Sequence, residues 1–207
     1  MIIGICGGSG SGKTTLLNRL SKTYAYLKPS VFSMDNYYLP IEEQITDENG
    51  KINFDLPSAL DEKKLVDDLY RLINGEHIHV EEYHFNAPPD LNTYITIFPS
   101  QLIIVEGLFL FHYEMVRAVI DFSIFISVDH NTQLNRRINR DQQSRGYAKE
   151  DIIYQWEHHV MPCYHNYLLP YEGLADFRYR NDEHADKDYD KLVKEIDKRM
   201  LQLEMTS

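Results

Sequence analysis

Gly7-Gly8-Ser9-Gly10-Ser11-Gly12-Lys13-Thr14, close to the start of the 207-residue chain, decides the fold. The stretch has the spacing G-x-x-x-x-G-K-[ST], a loop that turns successive backbone N–H groups inward around a polyphosphate. Glycine supplies the backbone angles and the close approach that such a nest needs. Lys13 adds a mobile cation for the β/γ-phosphates, and Thr14 a hydroxyl for Mg²⁺. Ile2, Ile3 and Ile5 form an apolar run before the loop, as a buried strand does. Leu16, Leu17 and Leu20 form a helical stripe after it, so the N-terminus of that helix faces the anion. Gly8, Ser9, Gly10, Ser11, Gly12, Lys13, Thr14 and Thr15 are therefore the candidate nucleotide-binding residues.

The bulk properties restrict what else the chain does. A formal net charge of −11 argues against a broad nucleic-acid or membrane-binding surface, so a bound polyanion needs a local concentration of positive charge. Cys6 and Cys163 are the two cysteines, too few for a disulfide framework, which points to a reducing compartment. Residues 1–207 read as one domain without a signal peptide or membrane-spanning run, and the expected location is the cytoplasm.

Strand-like apolar runs fall at 2–6, 31–34, 102–105, 122–128 and, more weakly, 175–179. Helical patterns fall at 13–25, 61–74, 112–119, 131–143, 149–168 and 187–203. The alternation predicts an α/β three-layer sandwich built on a mostly parallel sheet. Two segments interrupt it. Residues 36–60 are long and turn-rich; residues 77–98 read as an antiparallel hairpin inserted in the sheet order, with 77–85 and 93–98 flanking the turn residues 86–90. Both are candidate substrate caps.

Three groups of residues suit phosphoryl transfer. Asp35 follows the second strand, at the carboxyl edge where ligands bind in such sheets, and is a candidate base or metal neighbour. Glu106 follows the strand at 102–105 and is a candidate metal carboxylate. Between His130 and Lys149 stand Arg136, Arg137, Arg140, Arg145 and Lys149 against the single acid Asp141. That reversal of charge, followed by the break at Gly146, reads as a lid over 136–149 that brings arginines to transferring phosphates. His77 and His79 share a strand face, and His159 and Cys163 stand four apart, but neither pair has the further ligands a metal site needs. The tyrosines read as core and cap packing rather than a stacking platform for single-stranded nucleic acid.

From Ile2 to about Asp176 the chain resembles the uridine kinase branch of the uridine kinase/phosphoribulokinase family. The resemblance rests on GGSGSGKTT (7–15), SMDNYY (33–38), NFDLPSALD (53–61), IIVEGLFLF (103–111), FISVDHNTQLNRRINRD (125–141) and SRG (144–146). It implies a P-loop kinase that uses ATP and Mg²⁺ to phosphorylate the 5′-hydroxyl of uridine or cytidine, acting as a homo-oligomer. It implies Asp35 as catalytic acid/base, Thr14 and Glu106 near the metal, and Asp55 on the ribose hydroxyls. Tyr83, Arg137 and Gln155 match substrate contacts, and Arg140 and Arg145 match lid residues. The chain departs from the family at Pro88, where a histidine is usual, at Tyr147 in place of an arginine, and at Arg178-Tyr179-Arg180-Asn181 in place of Pro-Arg-Gly. His84 is a candidate replacement for the missing histidine. Because a lost hydrogen bond at a base edge alters specificity, another small hydroxylated acceptor, such as pantothenate or a sugar phosphate, stays open at this point. So does a nucleotide-binding regulator without turnover.

Overall fold

The structure is a computed structural model that describes residues 1–84 and 93–206. In chain order its elements are β1 (Ile2–Gly7), α1 (Lys13–Thr23), β2 (Ser30–Ser33), α2 (Glu62–Ile73), β3 (Ile78–Glu81), β4 (Tyr94–Ile97), β5 (Ile103–Gly107) and α3 (Glu114–Arg117). β6 (Phe122–Ser127), α4 (His130–Arg145), α5 (Lys149–Gln155), α6 (Met161–Cys163), α7 (Leu169–Glu172), β7 (Phe177–Arg180) and α8 (Ala185–Thr206) follow.

Five strands form one sheet in the order β2-β5-β1-β6-β7, and every pairing in it is parallel. Each strand reads as an apolar run because both faces are covered. On one face Ile3, Ile5, Ile104, Ile124 and Ile126 pack with Leu16, Leu17 and Leu20 of α1 and Leu192 and Ile196 of α8. On the other, Cys6, Phe32, Val105 and Phe125 pack with Leu65, Leu69 and Leu72 of α2 and with Leu168. This is the expected three-layer arrangement. α2 shows how the sequence specifies a layer: Asp61 caps its first turn by accepting from the Lys64 N–H at 2.9 Å, and its leucines recur at i, i+4 and i+7. Full burial of each leucine contributes roughly 1.5–3 kcal/mol.

β1 lies at the centre, and the chain reaches β2 and β5 on one side of it and β6 and β7 on the other. Ligands bind at such a switch point, outside the carboxyl ends of the strands. The register aligns Ser33 with Glu106 across β2 and β5, and Cys6 with Gly107 across β1 and β5. The loop after β1 and the residues after β2 and β5 therefore share one edge of the sheet.

Three local features differ from the sequence pattern. The hairpin β3–β4 pairs antiparallel, with Ile78 opposite Ile97, but forms a two-stranded sheet of its own instead of entering the main order. It joins the edge strand through a hydrogen bond from Ser30 Oγ to the Phe98 carbonyl. The helix expected over 112–119 is reduced to α3, because His112 and Tyr113 both donate their N–H groups to the Phe109 carbonyl in a tight turn. The helical run from Lys149 extends to Glu172 but contains π turns at Trp156–Val160 and Tyr164–Leu168. Each π turn precedes a proline, Pro162 or Pro170, which has no N–H for the α-helical ladder. The long segment 36–60 is ordered by short 3₁₀ turns and by Gln44, whose side-chain amide donates to the Leu39 carbonyl at 2.8 Å and the Ala59 carbonyl at 3.1 Å. Among the described residues no helix is long and apolar enough to cross a membrane.

Candidate active site

The phosphate loop occupies the carboxyl end of β1, with α1 starting directly behind it. Gly10 and Gly12 have φ values of 75° and 99°, in the left-handed region that favours glycine. A Cβ on Gly12 would also collide with the Asn181 side chain. Asn181 braces the loop by donating its side-chain amide to the Ser11 carbonyl at 2.6 Å. Gln133, from the first turn of α4, braces the other side: a Cβ on Gly8 would lie 2.6 Å from its Oε1. Lys13 Nζ donates to the Gly7 carbonyl at 3.0 Å. α1 has no acidic residue in its first turn, so its positive end is left uncompensated for an anion. Thr14 and Thr15 are exposed on that turn.

The second group sits on the adjoining strand ends. Ser33 Oγ donates to Glu106 Oε1 at 2.7 Å and accepts from the Asp35 N–H at 3.3 Å, so one hydroxyl ties the Glu106 carboxylate to the backbone of the turn that carries Asp35. Burial raises the pKa of Glu106, the charge of Asp35 raises it further, and Lys13 and the Ser33 hydrogen bond oppose both. Asp35 itself is exposed. The Thr14 hydroxyl and the two carboxylates are hard oxygen donors of the kind Mg²⁺ takes, and a buried carboxylate beside a second one is eased by a cation. No cluster of three or more His, Cys, Asp or Glu side chains suited to a metal occurs among the described residues.

α4 supplies the arginines. It begins at the Asp129 cap, which accepts from the Thr132 N–H at 2.9 Å, and ends at Gly146. Arg137 is buried, unlike a residue on a solvated basic face. Its guanidinium forks, with Nη1 donating to Ser9 Oγ and Nη2 to Gln155 Oε1, both at 2.9 Å. The phosphate loop, α4 and α5 thus meet at one side chain. Arg140 and Arg145 both lie against Asp141, while Arg136 reaches the Asn181 carbonyl.

Asp55 is buried and lines a narrow cleft with Gly8, Ser9, His130, Gln133 and Trp156. Tyr83 packs on Tyr38 with ring centroids 5.2 Å apart, and Tyr38 meets Phe54 at 6.2 Å. Burial raises the pKa of Tyr83, with Arg145 lowering it and Asp35 raising it, which brings Tyr83 within electrostatic reach of both. The Tyr83 N–H donates to the Asn36 side chain at 3.0 Å, tying the hairpin to the turn that carries Asp35. His84 turns elsewhere; its partners among the described residues are Thr93 and Glu82. Pro88 lies outside the described residues.

Asp47 fastens the long segment to the helical run that carries Gln155. Its carboxylate accepts from the Asn49 and Lys51 N–H groups, both at 2.9 Å, from Tyr154 Oη at 2.7 Å and from His159 Nε2 at 2.8 Å. Desolvation would raise its pKa, but these bonds together hold it well below the usual carboxylate range. Asp47→Ala is expected to accelerate hydrogen exchange at the Asn49 and Lys51 amides while β1 and β5 keep their protection. Unchanged exchange there would show that the turn holds without its carboxylate.

Sequence reasoning missed Ser33, Asn181, Gln133, Tyr38 and Phe54. Ser33 and Tyr38 were within the quoted SMDNYY stretch and Phe54 within NFDLPSALD, so their proximity to Asp35 and Asp55 was available as a signal. Gln133 lay within the quoted stretch 125–141 and Asn181 within 178–181, but neither stretch showed that these side chains reach the phosphate loop.

The chain matches the Phosphoribulokinase / Uridine kinase family over residues 2–182. A uridine kinase of Staphylococcus haemolyticus (strain JCSC1435) is 33% identical over 175 residues, covering 84% of each chain. Uridine-cytidine kinase B of Dictyostelium discoideum is 31% identical over 175 residues, covering 84% of this chain and 72% of that one. Among solved structures, the possible uridine kinase from Bacillus stearothermophilus has a TM-score of 0.58 at 22% identity, with 86% and 87% of the two chains covered. Phosphoribulokinase from Rhodobacter spheroides has a TM-score of 0.63 at 18% identity, with 86% and 69% covered. These two share the fold. The match over most of the chain and the two relatives above 30% identity assign the protein: it is a kinase, and it belongs to the phosphoribulokinase/uridine kinase family.

Proposed function

We propose that the protein transfers the γ-phosphoryl group of ATP to the 5′-hydroxyl of a pyrimidine nucleoside, uridine or cytidine. The observation that carries this reading is the shared cleft: Asp55 and phosphate-loop residues Gly8 and Ser9 line the same space. A carboxylate accepts two hydroxyl donors at once, which suits a ribose edge. Tyr83, with Tyr38 and Phe54, offers apolar ring surface to a base. Asp35 takes the proton of the attacking hydroxyl. Lys13 and the loop amides hold the β/γ-phosphates, and Arg137, Arg140 and Arg145 face the charge that develops during transfer. Thr14, Asp35 and Glu106 would hold Mg²⁺, which when bound neutralises phosphate charge. Segments 36–60 and 77–98 serve as the cap and residues 136–149 as the lid. The two relatives named as uridine and uridine-cytidine kinases support this acceptor.

The test is acceptor-dependent ADP release with Mg·ATP against nucleosides, pantothenate and sugar phosphates. Activity on uridine or cytidine is expected. Activity confined to another acceptor overturns the acceptor, and tight ATP binding without acceptor-dependent release overturns catalysis.

A pH dependence follows from Glu106. Its raised pKa means that falling pH protonates it above the ordinary carboxylate range, removing an oxygen donor for Mg²⁺. Activity is therefore present above that pKa and lost as pH falls through it. Ser33→Ala removes the bond that favours the ionised form, so the acid limb of kcat/KM moves to higher pH. An acid limb at the same pH in the variant would remove Ser33 from this role.

A further inference from the structure

Asp141 is the only acidic residue between His130 and Lys149, and its side chain is wholly buried. Three guanidinium groups surround it. Arg140 Nε donates to Oδ1 at 2.7 Å, Arg145 Nε lies 3.4 Å from Oδ1, and Arg137 Nε lies 3.4 Å from Oδ2. Each is approached at Nε, the stem end of the guanidinium. The Arg137 contact is ionic rather than a directed hydrogen bond: Arg137 Nε and Asp141 Oδ2 are both buried and have no hydrogen-bond partner. Helix capping does not explain the carboxylate. It is the Asp141 main-chain carbonyl that accepts from the N–H groups of Gly146 and Tyr147. Burial and the nearby Arg140 lower the pKa of Arg145, and Asp141 opposes both. The cluster keeps an excess of positive charge beside Ser9, in a chain that is otherwise strongly acidic.

We infer that Asp141 is the positioning residue of the lid, a buried counter-ion that gathers Arg137, Arg140 and Arg145 by their stem ends and sets them before the transferring phosphate arrives. The inference rests on the kinase reading above. Like charges crowded on one helix repel, and arginines released from a common anchor would meet the transition state in many orientations.

Asp141→Asn keeps shape and removes charge. The expected result is a kcat lower by roughly 10²-fold with the KM for Mg·ATP within about threefold, because the loop that binds ATP is untouched. Trp156, the single tryptophan, lines the cleft, and its fluorescence is the probe of nucleotide binding, checked against equilibrium dialysis of ADP. ADP alone is expected to bind the variant within about twofold of the parent, whereas the extra affinity conferred by aluminium fluoride is lost. In a double-mutant cycle the losses from Asp141→Asn and Arg140→Gln are less than additive, since part of the Asp141 effect acts through Arg140. A kcat within threefold of the parent, or fully additive losses, overturns the inference. If Asp141→Asn does not fold, Asp141→Glu carries the test: lower kcat at unchanged ADP affinity supports it, and unchanged kcat overturns it. If the parent shows no acceptor-dependent turnover, the kinase reading fails separately. The fluorescence titration still decides on Asp141, because equal tightening by aluminium fluoride in parent and Asp141→Asn overturns it.

Discussion

Asp35→Asn is expected to lower acceptor-dependent ADP release by about 10³-fold, within the usual range for removing a general base, while ATP binding measured by Trp156 fluorescence stays within about threefold. The split follows from position. Asp35 stands in the turn after β2, and the loop that grips phosphate stands after β1. The loop amides and Lys13 that hold the phosphates stay in place when Asp35 is changed, so one can lose its chemistry while the other keeps its ligand. The variant Asn keeps the 3₁₀ turn, because the Ser33 hydroxyl bonds the Asp35 main-chain N–H and not its carboxylate. Turnover near the parent level would remove Asp35 from the proton-accepting role.

Arg137→Ala is expected to reduce kcat by about 10³-fold or more, as for other arginines that face a transferring phosphoryl group, and also to lower stability. Truncation opens three contacts at once: Ser9 Oγ and Gln155 Oε1 lose this donor, and the buried Asp141 carboxylate loses one of its three guanidinium neighbours. The unpartnered groups destabilise by about 1–3 kcal/mol, visible as a lower urea midpoint with an unchanged slope. The kinetic loss distinguishes this residue from a purely structural one. A variant that is less stable but turns over normally at saturating ATP would leave Arg137 as a brace only.

The sequence made the central part of the site readable because its chemistry is local. A phosphate nest, its flanking strand and its helix follow one another within residues 2–23, so motif and context can be checked together. Alternating elements gave the parallel sheet for the same reason. What was not legible depends on register and packing. Ser33 is one serine among several until β2 aligns it with Glu106. Asp141 reads as one acid outnumbered by bases until the helix buries it among them. Asn181 reaches the phosphate loop from the residue just after β7, 170 positions away. The hairpin pattern specified an antiparallel pair but not its sheet, because cross-strand pairing is local while sheet membership depends on the edge strand it meets.

The two π turns between Gln155 and Leu169 carry a consequence for chain length. Each holds one residue more than an α turn would, and residues on a regular helix advance by about 100° each. Deleting one residue inside either turn can be absorbed by reverting it to the α form, leaving Gln155 and Leu169 facing as before. Elsewhere on a buried helix the same deletion would rotate everything beyond it. Insertions and deletions among kindred chains are expected to gather in this stretch, and an engineered one-residue deletion here should leave the grip of Gln155 on Arg137 intact.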